Sequence, residues 1–328
     1  MNARLKVNIV TPARLHLGII DTCSDLGRKY GSIGVTIDTP NVVLEATPSR
    51  ALKATGVDTD RTLRIAQKFL EKFPKATKAE ITVSRTIPEH VGLGSGTQLS
   101  LAIGTAISRL SGLELNAREI AFALGRGRVS GIGVSAFMKG GFILDAGRSN
   151  VTESQHTLSG VSLPVLQTRF PDEWRFVVAI PNAGKGLSGR VEQEAFSDLP
   201  PASPKLVGEI CRLIIMKMLP SLIEKNVRNF GESMTAVQRL VGDSFSEVQG
   251  GRFLSPLVED CIKFMLASGA FGAGQSSWGP TVYGIVDSDP SAAILEKRVD
   301  EFLKKRGGGM VLVTKANNVG AKITLSDQ

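Results

Sequence analysis

The order of elements in this 328-residue chain predicts an α+β fold in two domains. Three observations carry that prediction. Short runs with strand spacing precede a long amphipathic helix, a polar and irregular stretch interrupts the pattern around 149–172, and helices then alternate with strands. We expect a first domain over 1–165, in which a glycine-rich loop leads into the long helix. The second, over 166–328, should place its helices on one face of a sheet.

RLKVNIV (4–10), NVVLEAT (41–47) and AEITVSR (79–85) alternate or run apolar and read as strands, whereas TLRIAQKFLEKF (62–73) has helical spacing. Leu99, Ile103, Ala106, Ile107 and Leu110 recur at steps of three and four, which puts them on one face of the long helix. Asn116 followed by Glu119 is a capping-box signature for a short helix, AREIAFALG, that stops at Gly125. The stretch 125–147, GRGRVSGIGVSAFMKGGFILDAG, is dense in glycine and basic residues, ends in a strand, GFILD, and has the character of a ligand-touching loop. The second domain opens with WRFVVAI (174–180). Its helix starts are marked by a capping residue plus proline at Ser203-Pro204, Ser255-Pro256 and Asp289-Pro290, and its later strands are TVYGIV (281–286) and GMVLVTK from 309. The helix CRLIIMKML (211–219) is too apolar for a solvated face and predicts a homodimer interface.

Composition narrows the function. A hydrophobic content of 42% with 21% charged residues is that of a globular protein, and the net charge of +8 suits an anionic partner. The basic residues are scattered, aromatics are only 5%, and no stacking or helix-turn-helix motif occurs, so a small polyanion fits better than nucleic acid. Cys23, Cys211 and Cys261 are too far apart for a disulfide framework or a metal knuckle and read as reduced thiols of a cytoplasmic protein. No apolar run approaches the roughly 20 residues that span a bilayer.

The most informative segment is PEHVGLGSGTQ (88–98). Gly92, Gly94 and Gly96 allow positive φ and close approach of backbone N–H groups to an anion, Ser95 and Thr97 add hydroxyls, and the following helix aims its N-terminus at the loop. Such a loop is built for a polyphosphate or is merely a tight connection. It is not a Walker A loop, since no lysine follows the last glycine, and it lacks the acidic partner of a dinucleotide fingerprint.

Together with PARLHLG (12–18) and SGAFGAGQSSWGP (268–280), this segment resembles the three motifs of the GHMP kinase superfamily, in order and over nearly the whole chain. The resemblance implies a two-domain fold whose central loop wraps a triphosphate. Two departures separate the chain from the kinases: Gly133 stands in RVSGIG where many of them carry a catalytic acid, and GLGSGTQ replaces GLGSSAA. With GRGRVSGIGVSAFMKGGFILD and PNAGKGLSG (181–189), the pattern is similar to the β-ribofuranosylaminobenzene 5′-phosphate synthase family. That family joins phosphoribosyl pyrophosphate to 4-aminobenzoate or 4-hydroxybenzoate as a C-riboside in methanopterin biosynthesis, releasing pyrophosphate and CO₂. The alternative is an ATP-dependent small-molecule kinase of the GHMP type.

On this reading Gly92, Leu93, Gly94, Ser95, Gly96, Thr97 and Gln98 cradle the phosphates, with Mg²⁺ bridging them, although no carboxylate cluster marks its ligands. Arg14 and His16, two apart, share a side if their segment is extended and could clamp the benzoate carboxylate or a phosphate, or simply be solvated. Arg14, His16 and Arg126 are the expected catalytic residues. Arg126, Arg128 and Ser130 suit a bidentate phosphate or carboxylate contact or form a basic turn. Lys185 and Arg190 reach a phosphate from the second domain or lie in a surface loop. Gln275 and Ser276 are expected substrate contacts, and Trp278 either stacks on the ring or anchors the core. His90 is an acid–base candidate or a turn residue, His156 a surface residue, and Asp21 a substrate or metal contact or a turn residue.

Overall fold

The structure is a computed structural model and describes residues 5–149, 160–182, 184, 186, 194–196 and 198–327. Its first strand, β1 (Leu5–Asp21), continues far past RLKVNIV, through all of PARLHLG, and pairs antiparallel with β2 (Arg28–Pro48). Ala13, Leu15 and Leu17 are buried on one face of β1 and His16 on the other. A strand covered on both faces has no alternation for the sequence to display. The register slips between His16 and Gly18, a bulge that re-aims the strand beside the histidine.

β3 (Lys53–Gly56), α1 (Thr59–Lys72) and β4 (Ala79–Arg85) follow, and β4 pairs antiparallel with the second half of β2 and parallel with β3. Next come α2 (Ser95–Leu110), α3 (Ala117–Ala123) and α4 (Ile132–Met138). The capping box of α3 forms as its sequence predicts, with Asn116 accepting from the Arg118 and Glu119 amides and Glu119 accepting from the Asn116 amide at 2.7 Å. β5 (Phe142–Asp145) and β6 (Arg148–Ser149) pair with the first half of β2, and β7 (Pro164–Thr168) pairs with β5.

β8 (Arg175–Pro181) opens a second sheet. After it come α5 (Pro204–Leu213), a π turn over Ile214–Met218, α6 (Leu219–Ile223), α7 (Val227–Gln249), α8 (Pro256–Ala267), β9 (Gly272–Gln275), β10 (Val282–Val286), α9 (Asp289–Lys304) and β11 (Gly309–Lys315). The strand order is β11-β8-β10-β9, all antiparallel. Helices α8 and α9 cover one face, Val258, Met265, Leu295 and Val299 meeting Val177, Ala179 and Val282. On the other face α7 sets Phe230, Met234 and Val237 in one core with Phe176, Val178 and Tyr283. Ser203 and Ser255 cap α5 and α8 as expected, but in α9 the N-cap position falls to Ser288, whose side chain makes no cap hydrogen bond, and Asp289 lies in the first turn and holds Arg175 at 2.5 Å. In the apolar 211–219 segment Ile214 and Met218 are buried, whereas Ile215 and Met216 face outward.

β12 (Lys322–Asp327) returns to the first sheet and pairs antiparallel with β1. The 165/166 division therefore falls inside β7, and the first sheet takes a strand from late in the chain. Phe170 stands 5.3 Å from Trp174, 5.5 Å from Phe176 and 5.4 Å from Phe230, so the two sheets share one aromatic core.

Helix α2 is held where it is by close approach at Gly104. A Cβ there would lie 2.4 Å from Ile120 Cγ2 of α3 and 3.2 Å from Phe69 Cδ2 of α1. Gly104→Val should cost about 1–3 kcal/mol by overpacking, read as a lower denaturation midpoint. An unchanged midpoint would show that the three helices can separate freely.

Candidate active site

The glycine loop sits between β1 and the start of α2. Gly92 and Gly94 have φ of 87° and 83°, and Gly94 caps α2 in the left-handed region, a conformation that a β-branched residue resists. The Thr97 amide turns back to Gly94 O at 3.1 Å, so of the first turn of α2 it is the Ser95 and Gly96 amides that have no helical acceptor, and Ser95, Gly96 and Thr97 line a cleft of about 500 Å³.

The three glycine-bearing motifs meet at one carbonyl. Gly92 O accepts from Ser276 Oγ at 2.6 Å and also from the Arg14 guanidinium, while Ser276 Oγ accepts from the His16 amide at 2.9 Å. The late loop lies so close that a Cβ on Gly92 would fall 2.0 Å from Ser276 O. Arg14 further donates its amide to Leu93 O at 3.2 Å. Ser276 and Gln98 were expected to touch substrate, but both side chains are fully buried: Gln98 donates to Gly133 O at 2.7 Å and ties α2 to α4. Gln275 lines the cleft, yet its amide is engaged by Leu254 N, Ser277 O and Gln249 Oε1. These residues shape the loops, a role that only long-range packing reveals.

Charge in the cleft is one-sided. Arg14, Arg61, Arg126, Arg128 and Arg252 line it, and no Asp or Glu stands among the described lining residues. Arg126 bonds Ser100 Oγ at 3.2 Å and crosses Gly96, whereas Arg128 stays exposed. Arg61 and Arg252 escaped the sequence reading. Arg61 donates to Ser95 Oγ at 2.8 Å and is gripped by Glu89 at 2.6 Å and Asp58 at 3.3 Å. Arg252 is held by Asp243 at 2.6 Å. Nothing local marks Arg61; the Gly250-Gly251 pair before Arg252 was the available signal.

Arg14 and His16 do share a side of β1, and both line the cleft. His16 is 5% exposed, and burial followed by the Arg14 cation lowers its pKa to about 3. Its ring is therefore neutral near pH 7, which rules out a cationic clamp from His16. His90 lines the rim at φ 59°, its carbonyl accepting from Gly186 at 2.8 Å, which is turn geometry. Asp21 accepts from the Cys23 and Ser24 amides in an Asx-type turn. Lys185, Arg190 and His156 lie outside the described residues.

Part of the cleft wall is apolar. Ile19, Val129, Phe196, Val241, Phe245 and Trp278 line it. Trp278 is 4% exposed, with ring centroids 5.3 Å from Phe196 and 5.1 Å from Phe245. It is part of an aromatic wall. Ser130 also faces the cleft and lies 2.7 Å from Ser32, which donates to Asp145 at 2.5 Å. Gly133, the position of the kinase acid, is buried with its missing Cβ 3.1 Å from Thr97 Cγ2.

Comparison with known proteins agrees with this geometry. Residues 60–141 match the GHMP kinases N terminal domain and 218–305 the GHMP kinases C terminal domain. The phosphomevalonate kinase of Streptococcus pneumoniae superposes with a TM-score of 0.69 at 12% identity, covering 95% of this chain and all of that one, a likeness of fold alone. Sequence likeness points elsewhere. The β-ribofuranosylphenol 5′-phosphate synthase of Methanothermobacter thermautotrophicus is 36% identical over 97% of this chain and 98% of its own. That of Archaeoglobus fulgidus is 36% identical over 95% and 98%. By these matches the chain belongs to the β-ribofuranosylphenol 5′-phosphate synthase family, transferases carried on a GHMP kinase fold.

Proposed function

We propose that the chain joins phosphoribosyl pyrophosphate to 4-hydroxybenzoate, giving a C-riboside of phenol with loss of pyrophosphate and CO₂, in the cytoplasm and in the service of methanopterin biosynthesis. The relatives named for a ribofuranosylphenol favour the hydroxyl over the amino acceptor. The observation that carries the reading is the make-up of one cleft: a glycine loop and five arginines, with no carboxylate among the described lining residues, share it with an aromatic wall.

Each kind of lining suits one substrate. The bond from the anomeric carbon to pyrophosphate breaks with charge gathering on the leaving oxygens, and the α2 N-terminus and the arginines stabilise that charge. The benzoate ring packs on the apolar wall, and its carboxylate-bearing carbon forms the new bond to the sugar. Loss of CO₂ then restores the aromatic ring. Holding both partners in one cavity supplies much of the rate. The family resemblance also implies Mg²⁺. Ser95 and Thr97 offer hydroxyl oxygens, but the described cleft wall has no carboxylate to seat the ion, so it would arrive with the pyrophosphate, held by phosphate oxygens and water.

Incubation with the sugar donor and 4-hydroxybenzoate should release one CO₂ and one pyrophosphate per C-riboside, counted by mass spectrometry. Phosphorylation of an alcohol by ATP without decarboxylation would overturn the reading.

Gly94→Val should raise the donor KM at least tenfold and leave the benzoate KM nearly unchanged, because the branched side chain strains a φ of 83° and would crowd Arg14 Cγ, already 3.2 Å from a bare Cβ. An unaltered donor KM in a variant with normal melting would exclude the loop as the phosphate site.

His16 gives a stability signature. An unfolded imidazole titrates near pH 6.5, whereas the folded one holds to about 3, so within that window the unfolded chain binds the extra proton. Stability should be complete above about pH 6.5 and fall by about 1.4 kcal/mol per pH unit below it. His16→Gln should flatten this slope in denaturation at pH 4 to 7. Asp145, shifted upward, contributes with the opposite sign but is present in both proteins, so the difference isolates His16. Equal slopes would mean that the ring is not held neutral.

A further inference from the structure

We propose that Ser130 takes the proton of the para hydroxyl of the benzoate ring, with Ser32 and Asp145 behind it as a relay. The proposal rests on the phenolic acceptor assigned above and names the group that activates it.

The direction of the hydrogen bonds fixes what Ser130 can do. Asp145, 1% exposed at the end of β5, accepts at Oδ2 from Ser32 Oγ at 2.5 Å and from the Gly131 amide at 2.8 Å. Its Oδ1 accepts from the Gly147 amide at 2.7 Å. Every partner is a donor, the setting of an ionised carboxylate. Ser32 has one proton and gives it to Asp145, so in the 2.7 Å contact between the serines Ser130 must be the donor. With its own proton turned inward, Ser130 presents lone pairs to the cleft, one of them taken by the Ile132 amide at 3.3 Å. A group that can only accept selects a donor, and an ionised carboxylate or phosphate is not one. The phosphate contact expected of Ser130 from the sequence gives way to recognition of an O–H.

The relay surfaces at the apolar part of the cleft wall. Ser32 is the register partner of Ile19 in the β1–β2 ladder, and Val129, adjacent to Ser130, packs with Ile19 beside Phe196 and Trp278. A ring lying on that wall brings its para oxygen within reach of Ser130, the neighbour of Val129. Asp145 also braces the Ser130-Gly131 turn that leads to Gly133.

The proton transfers balance. As the ring carbon bonds to the sugar, the para O–H proton passes to Ser130, the Ser130 proton to Ser32 and the Ser32 proton to Asp145, while the ring oxygen becomes a carbonyl and pyrophosphate leaves with its bonding pair. When CO₂ departs, the electrons of the broken C–C bond restore the arene, and the protons return along the same path. Ser130 is the catalytic contact, and Ser32 and Asp145 act through it. Burial raises the Asp145 pKa against the bonds that lower it, which makes it a better proton acceptor than an exposed aspartate.

Ser32→Ala tests the relay without removing the carboxylate or its two backbone donors. In single turnover at saturating donor, Ser32→Ala and Ser130→Ala should each slow coupling about a hundredfold with donor binding unchanged, and Ser130→Thr should restore most of the rate. A proton inventory in H₂O–D₂O mixtures should be curved for the wild type and lose its curvature in Ser32→Ala, a change that a packing defect would not produce. A Ser32→Ala protein that couples at the wild-type rate, or one slowed with its curvature intact, would overturn the relay while leaving the substrate assignment standing. Absence of CO₂ release from 4-hydroxybenzoate by the wild type would instead remove the assignment on which the relay rests.

Discussion

The carbonyl of Gly92 is the point on which the cleft depends. It accepts from the Ser276 hydroxyl and the Arg14 guanidinium, and Ser276 in turn accepts from the His16 amide. One buried hydroxyl thus fixes β1, the anion loop and the late loop against one another. The glycine loop adds the buried side chains of Val91 and Leu93 to that anchor. The tight backbone approach of Gly92 to Ser276 and of Gly279 to Val91 is what lets that hydroxyl reach both partners.

Around that anchor the charges are arranged in depth. Arg61 and Arg252 face the cleft, and the carboxylates that restrain them, Glu89, Asp58 and Asp243, stand outside its lining. Those two cations are therefore ordered before any ligand arrives, and have less conformational freedom to lose when a polyanion binds. The same fold in a kinase needs an acid near the reacting oxygen. The resemblance places that position at Gly133, which is closed by Thr97, and the buried Asp145 is joined to the cleft lining through Ser32 and Ser130.

Much of this was legible in the sequence wherever a property is local. The loop at 88–98, the capping box at Asn116 and Glu119, and the Ser-Pro helix starts at 203 and 255 all describe how a few consecutive residues satisfy their own backbone. What the sequence concealed is decided at a distance. The length of β1 was hidden because both its faces are covered. Gln98 and Ser276 look like ligand contacts by composition and are turned inward by partners 35 and 184 residues away. Arg61 reads as one more exposed helix residue, and only the approach of α1 to the loop gives it Ser95. Asp145 ended a strand and attracted no attention, since its importance comes from Ser32 across the sheet.

The return of β12 to β1 has a consequence for how the molecule is made. β1 carries Arg14 and His16, and one of its edges is closed only by residues 322–327. During synthesis that edge stands open, with its backbone groups unpaired, until more than 300 residues have followed it. A contact of such sequence separation forms slowly, and the strand meanwhile offers a template to any other extended chain. Lys6 places a charged side chain on β1 within the stretch that β12 later covers, a means by which an open edge discourages the wrong partner while it waits for its own.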